Sequence, residues 1–465
     1  MSNRIDSNLT EQVSKEVSSL FDGAVGTLTD LVAIPGIAWD AFDAQNLERS
    51  AEAVAALFKS TGLFEWVEIR KAPKPEGGLG GPAVIGRRPA KNGKPQILLY
   101  AHHDVQPPGD ESIWQTPVFE ATVKNGRMYG RGAADDKAGI VTHLTALKVL
   151  SALTAGNPDV GITLFIEGEE EAGSPSFRNF LEQNQKDLES DVIIVADSGN
   201  WTTEIPALTT TLRGLVSQVI TVSTLDHAVH SGMFGGVVPD AMTAMIRLLA
   251  SLHDDKGDVA VAGLVNRTAS QLDYSEAMLR EDSGLLPGVE QIGTGGILDR
   301  NWMKPSITVI GIDYPSVAVS SNTLLPSVKA KISMRIAPGE NPDDALVLLR
   351  KHLESNLPWG AKLEYGDVEK GKPFESDANG WAKQQMEAAL SAGFGAESVD
   401  IGIGGSIPFI ADLIELFPQA QILVSGVEDP DSRAHSPNES LELESLRKAM
   451  ISEALFLLTG NQIIK

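Results

Sequence analysis

Histidine and carboxylate residues gather at the ends of apolar runs in this chain. The run Ile97-Leu98-Leu99-Tyr100 passes through Ala101 and stops at His102, His103 and Asp104. A buried strand that ends this way puts polar side chains at its carboxyl edge. Strand side chains alternate, so His102 and Asp104 share one face while His103 points to the other. Downstream, the glycine-punctuated turn Gly130-Arg131-Gly132-Ala133-Ala134-Asp135-Asp136 carries two adjacent carboxylates. The apolar stretch Val160–Ile166 empties into Glu167-Gly168-Glu169-Glu170-Glu171, Val192–Ala196 ends at Asp197, and His435 precedes the last helical pattern. Each piece has an ordinary structural use as well: a histidine can close a strand or help cap a helix, Asp136 can start a helix, and an acidic turn can face solvent. The chemistry they could do together is to hold a divalent cation. Several carboxylates in one cleft are costly unless a cation neutralises them. Histidine with Asp/Glu ligands, and no cysteine, suits zinc, or manganese with similar ligands.

The elements that would position these residues follow from hydrophobic periodicity. Val13, Val17, Leu20, Phe21, Val25, Leu28 and Leu31 recur at helical spacing over Leu9–Leu31, and a second helix runs through Leu47–Leu57. Trp66–Ile69 and Ala83–Ile85 read as strands, and Asn125-Gly126 as the turn of a hairpin. Asp136 opens a helix carrying Ala138, Val141, Leu144, Leu147 and Leu150. Helices alternating with short apolar strands predict a largely parallel sheet with helices on its faces, and ligands in such sheets bind beyond the strands' carboxyl ends. Asp104, Glu171 and Asp197 all follow strands at that edge. From Leu212-Arg213-Gly214 the character changes to a smaller α+β unit, with strands at Val216–Val222, Ile307–Ile310, Val328–Met334 and Leu363–Tyr365 and helices near Ala241–Leu252 and Pro342–Leu353. Residues 253–305, rich in Gly, Asp and Ser, support little placement. Helical patterns resume near Gly371, followed by the Gly404-Gly405-Ser406 turn, the strand Ile422–Val424 and a final helix, Leu441–Leu458. The expected architecture is an α/β domain, 1–210 and 373–465, interrupted by an inserted α+β domain, 211–372.

The chain is 465 residues long, 42% hydrophobic and 22% charged, an ordinary globular composition with room for more than one core. Its formal charge of -24 and pI near 4.7 argue against nucleic acid, whose backbone would be repelled. With no cysteine there is no disulfide, thiolate metal site or cysteine nucleophile. No apolar run reaches the length of a membrane span and the N-terminus has no apolar signal core, so no membrane partner is expected and cytoplasm is the default. The sequence lacks H-E-x-x-H, a P-loop and a G-x-S-x-G elbow. His143, His253 and His352 fall in or beside helical patterns without acidic motifs and are read as packing residues.

Several of these motifs, in order, resemble one family. They are His102-His103-Asp104-Val105-Gln106-Pro107, Gly130-Arg131-Gly132 with Asp135-Asp136-Lys137, Glu170-Glu171-Ala172-Gly173-Ser174, Asp197, His230-Ser231-Gly232 and His435-Ser436-Pro437-Asn438-Glu439. The chain is similar over nearly its whole length to the di-metal peptidases related to carboxypeptidase G and aminoacylase, and most closely to the carnosinase-like metallodipeptidases. The resemblance implies two divalent metals: His102 and Asp197 on one, Glu171 and His435 on the other, and Asp135 bridging. It implies that Asp104 orients His102 and that Glu170 is the general base acting on a metal-bridging water. In the inserted domain, a lid and dimerisation domain in the family, it implies that His230 stabilises the oxyanion and that Arg335 holds the substrate carboxylate. The nearby His227 is read as a surface or packing residue. Gly404-Gly405-Ser406-Ile407-Pro408 resembles the family's substrate-binding turn, which makes Ser406 a substrate contact. The implied partners are a short peptide substrate and a second copy of the chain, forming a homodimer.

Two positions depart from the pattern. Gly402-Ile403 stands where carnosinase-like relatives often have Arg-Glu, and Ala228 replaces the aspartate usual two residues before the inserted-domain histidine. Both bear on substrate choice, so an N-acyl amino acid deacylase or desuccinylase is the nearest rival. A catalytically silent metal-binding protein is the rival of another class, and intact Glu170 weighs against it because a structural site needs no base.

Overall fold

The structure is a computed structural model that describes residues 5–269, 272–405 and 408–462. The chain forms two compact units, one made of Met1–Thr210, Ser376–Ile401 and Asp412–Lys465, the other of Thr211–Glu375 and Gly402–Ala411.

The first unit is built on a sheet with the strand order Trp66–Arg70, Ala83–Arg88, Gly161–Glu167, Gln96–His102, Val192–Val195, Gln421–Val424, Ala207–Leu212; the last of these, where the chain leaves the unit, also pairs with Val399–Ile403 and Phe374–Glu375. Its centre is parallel: Gln96–His102 pairs in parallel with both Gly161–Glu167 and Val192–Val195, and Gln421–Val424 with Val192–Val195. The edge strands are antiparallel. Every residue from Gln96 to His102 is buried, as expected of a strand covered on both faces. Ile97, Leu99 and Ala101 face one core with Ile162, Leu164 and Ile194. On the other face Tyr100 meets Phe165 edge-on at 5.5 Å, and Phe165 stacks on Phe180 at 5.1 Å. Burying side chains of this size contributes about 1.5–3 kcal/mol each before the entropy of ordering them is subtracted.

The helix Lys137–Leu153 is capped by Asp136, whose side chain accepts the Gly139 N–H. Its periodicity predicts one apolar stripe, but residues 137–147 are buried all round. It is an interior helix, covered by Ser7–Val32 and Leu443–Gly460. The last helix also differs from expectation. Ser440–Glu442 forms a strand against Arg127–Tyr129 of the predicted hairpin, and the helix begins at Leu443. That short three-stranded sheet draws the 433–439 loop down to the 130–136 turn.

The second unit is a four-stranded antiparallel sheet in the order Ser306–Asp313, Ser327–Ile336, Gly214–Ser223, Lys362–Gly371. The helices Ala241–Ala250 and Pro342–Asn356 pack on one face through Met245, Leu248, Leu349 and Leu353 against Val216, Ile220, Ile332 and Met334. The stretch left unplaced by sequence contains the helix Glu276–Ser283 and a short π-helix, Asp299–Met303. Among the described residues, no helix is long and apolar enough to cross a membrane.

Candidate metal centre

The site of the first unit is assembled from five loops, four of them at the carboxyl ends of parallel strands. His102 is the last residue of its strand and fully buried. Its Nδ1 lies 3.1 Å from the Asp104 carbonyl and 3.3 Å from Asp104 Oδ1. Nδ1 is engaged by Asp104, and Nε2, the nitrogen left to meet a cation, lies 2.9 Å from Asp135 Oδ1. The same Asp104 carboxylate accepts the N–H of Glu170 at 3.2 Å and of Glu171 at 3.0 Å. One side chain thus fixes the histidine and the acidic turn together.

Asp135 sits on the glycine-punctuated turn, which is held by the buried Glu439 carboxylate. Glu439 accepts from Gly132 N–H at 3.1 Å, Ala134 N–H at 3.0 Å, Asp135 N–H at 3.2 Å and Arg131 Nη1 at 2.7 Å. The neighbouring Asp136 accepts the His102 backbone N–H at 3.1 Å. Glu171 receives the backbone N–H of Gln106 at 3.1 Å and its Nε2 at 2.6 Å. His435, in the left-handed region at φ 62°, brings Nε2 to 3.0 Å from Asp135 Oδ2 and 3.2 Å from Glu171 Oε2. Asp197 offers an oxygen that lies with ligand atoms of His102 and Glu170 in a group no more than 4.8 Å across, and His102, Asp135 and Glu171 form a second such group.

The electrostatics fit a cation site. Burial disfavours the His102 imidazolium, yet Asp104 and Asp135 outweigh it and hold its pKa well above 6.5. Hydrogen bonds to Asp135 and Glu171 raise His435 to about 11. Asp197 is pushed up to about 7, chiefly by burial and also by the charges of Asp135 and Glu171. Burial and Asp197 together drive Glu170 well above the usual carboxylate range. Glu428 is raised in the same way by burial, Asp135 and Asp197. Crowded carboxylates of this kind stay ionised when divalent cations neutralise them, and two imidazoles with carboxylate oxygens are the donor set such cations take.

His102, Asp104, Asp135, Glu170, Glu171, Asp197 and His435 all meet in the first unit. His230 and Arg335 belong to the second. There His230 is exposed, pairs across from Thr323, and accepts the Gly232 N–H on Nδ1 at 3.0 Å. Arg335 is half-buried near the end of its strand, opposite Leu215 and Ser306. Ser406 lies outside the described residues. His227 is a surface residue bonded to Asp226. The positioning roles of Gln106 and Glu439, and the presence of Glu428, were not anticipated; the first two stand inside quoted motifs, where residue type alone gives no partner.

The sequence pattern of peptidase family M20/M25/M40 matches residues 98–458. The cysteinylglycine-S-conjugate dipeptidase of Corynebacterium striatum is 33% identical over 421 residues, 90% of each chain. The beta-Ala-His dipeptidase of Rattus norvegicus is 28% identical over 374 residues, 77% of this chain and 75% of the relative. In fold, the chain superposes on the di-peptidase Dug1p of Saccharomyces cerevisiae with a TM-score of 0.77 at 22% identity, covering 99% of this chain and 100% of the other. This chain belongs to peptidase family M20/M25/M40 and is a dipeptidase-like metallopeptidase.

Proposed function

We propose that the chain hydrolyses the peptide bond of dipeptides or other short peptides at a centre for two divalent cations. The observation that carries the proposal is the Asp135 carboxylate shared between two imidazoles, 2.9 Å from His102 and 3.0 Å from His435. A carboxylate with a histidine on each oxygen is suited to serve two cations at once. In this reading His102 and Asp197 hold one, Glu171 and His435 the other, and Asp135 both; zinc suits these ligands first and manganese second. When bound, the cations supply Lewis-acid polarisation of the scissile carbonyl and acidify a water.

The remaining work falls to the chain's own groups. Asp104 keeps His102 in the tautomer that presents Nε2 and pins the Glu170–Glu171 turn. Glu170 takes the proton of the attacking water and delivers it to the departing amine. From the second unit, His230 would donate to the developing oxyanion and the planar fork of Arg335 would grip the substrate's terminal carboxylate; Ser406 is kept as a substrate contact on the family resemblance alone. The first unit, Met1–Thr210, Ser376–Ile401 and Asp412–Lys465, then acts as catalytic domain, and the second, Thr211–Glu375 and Gly402–Ala411, as inserted lid and dimerisation domain.

The substrate class rests on the relatives, one acting on cysteinylglycine S-conjugates and another on beta-Ala-His, both dipeptide types. The homodimer rests on the edge strand Ser306–Asp313, which leaves Val309, Ile310 and Ile312 exposed, whereas the opposite edge, Lys362–Gly371, is guarded by charges. The direct test is Glu170→Ala, assayed for dipeptide hydrolysis and for bound metal. The variant is expected to keep its cations and lose about 10²–10⁴-fold in kcat. Near-normal turnover would remove Glu170 from the role of base.

A further inference from the structure

We infer that Glu169 is a positioning residue for the proposed base: its carboxylate clamps the acidic turn to the 80–82 loop and so fixes where Glu170 stands. The inference rests on the dipeptidase reading of Glu170 and adds a residue that acts through it.

The glutamates at the end of the Gly161–Glu167 strand divide by partner. Glu167 accepts the Tyr100 hydroxyl at 2.7 Å, while Glu170 and Glu171 each supply an oxygen to one of the two groups around His102. Among the described residues Glu169 belongs to neither group, although it is buried and adjoins Glu170. Its oxygens turn to other segments instead. Oε2 accepts the Gly81 N–H at 2.6 Å, and Oε1 accepts the Ser176 N–H at 2.7 Å and the Ser176 hydroxyl. Its own carbonyl accepts the N–H groups of Ala172 at 3.2 Å and Ser174 at 2.9 Å. One residue therefore joins the turn, the start of the helix Phe177–Leu188 and the loop ahead of the strand Ala83–Arg88.

The 80–82 loop meets the turn closely enough to serve as its support. A Cβ added at Gly81 would lie 2.5 Å from the Gly168 carbonyl oxygen, and one added at Gly168 would lie 2.6 Å from His103 Nε2, so only glycine fits at either position. His103 Nε2 donates to the Pro82 carbonyl at 2.7 Å, which gives the second histidine of the His102-His103-Asp104 run a use away from the cations. Asp104 holds the N–H groups of Glu170 and Glu171, at 3.2 and 3.0 Å, and Glu169 holds the residue just before them. The Glu170 backbone is thereby fixed on both sides. A base must stay within hydrogen-bond reach of the water it deprotonates, and a misplacement of about 1 Å can cost about 100-fold in rate. The clamp on Glu169 supplies that constraint without touching the substrate.

The test uses the metal-loaded full chain with Ala-Gly as substrate and compares wild type, Glu169→Gln, Glu170→Ala and the double variant. Glutamine keeps the size and one acceptor oxygen but turns an NH2 group toward the donors of either Gly81 or Ser176. Glu169→Gln is expected to lower kcat about 10- to 100-fold, with KM within about twofold of wild type and metal content unchanged. In the Glu170→Ala background the same substitution should change the residual kcat less than about twofold, because the group it positions is gone. An unchanged kcat in Glu169→Gln overturns the inference. So does an equal fall in both backgrounds, which would mean that Glu169 does not act through Glu170. Loss of metal or of the folding transition overturns it as well, since Glu169 would then be a structural residue. Failure of the dipeptidase reading is separately visible: the metal-loaded wild type would then cleave no dipeptide of a panel while cleaving N-acyl amino acids.

Discussion

At the scale of single residues, the sequence showed which side chains could do chemistry but not how they are held. His102, Asp104 and the Glu170–Glu171 pair could be located because a buried strand period ends at each. Their mutual geometry could not, because it depends on hydrogen bonds between segments more than sixty residues apart, such as those from Glu170 and Glu171 to Asp104. His143 shows the opposite case. Read as a packing residue, it is fully buried in the interior helix, with Nδ1 2.7 Å from Glu453 Oε1 and Nε2 3.0 Å from the Tyr100 carbonyl. Burial works against its charged form, but Glu453 outweighs burial and holds the pKa above 6.5. A raised folded pKa makes the His143 contribution complete below the unfolded value near 6.5 and lost as pH rises through the folded value. Glu453→Gln should therefore cost stability most at low pH, by about 1–3 kcal/mol. The Tm difference from wild type should be widest below about pH 6.5 and should narrow on the alkaline side; a gap independent of pH would contradict the assignment.

At the scale of elements, periodicity served well where one period dominated and failed where tertiary pairing decided. The strands of the parallel sheet and the Asp136 cap were legible. The start of the last helix was not: Ser440–Glu442 has the composition of a helix start but is drawn into a ladder with Arg127–Tyr129. That ladder matters for the site because it carries Glu439 into the turn that bears Asp135. Removing the Glu439 carboxylate leaves the buried Arg131 guanidinium without its ion-pair partner and three N–H groups without their acceptor. Glu439→Ala is expected to destabilise the first unit by about 3–5 kcal/mol. It should also weaken metal binding even though Glu439 is not itself a proposed ligand. A variant with wild-type Tm and metal affinity would show that the turn holds its shape unaided.

At the scale of the whole molecule, the α/β class and the interruption by a smaller α+β unit followed from the alternation of strands and helices and its loss after Leu212. Residues 253–305 stayed opaque because Gly, Asp and Ser suit many backbone conformations and bury little. The proposed homodimer belongs to this scale. Ile310→Lys puts a charge on the exposed edge strand Ser306–Asp313 and should shift the chain from dimer to monomer in light scattering behind size exclusion, with the first unit's melting unchanged. A wild-type chain that is monomeric at micromolar concentration would remove the edge strand from that role. In the proposed mechanism this acidic chain does its chemistry through cations held by His102, Asp135, Glu171, Asp197 and His435. The most direct measurement is dipeptide hydrolysis by the chain stripped of metal with a chelator and then titrated with zinc or manganese. No turnover is expected in the stripped chain, with recovery that saturates at two cations per chain; full activity in a sample verified to be free of metal would contradict a cation-dependent mechanism.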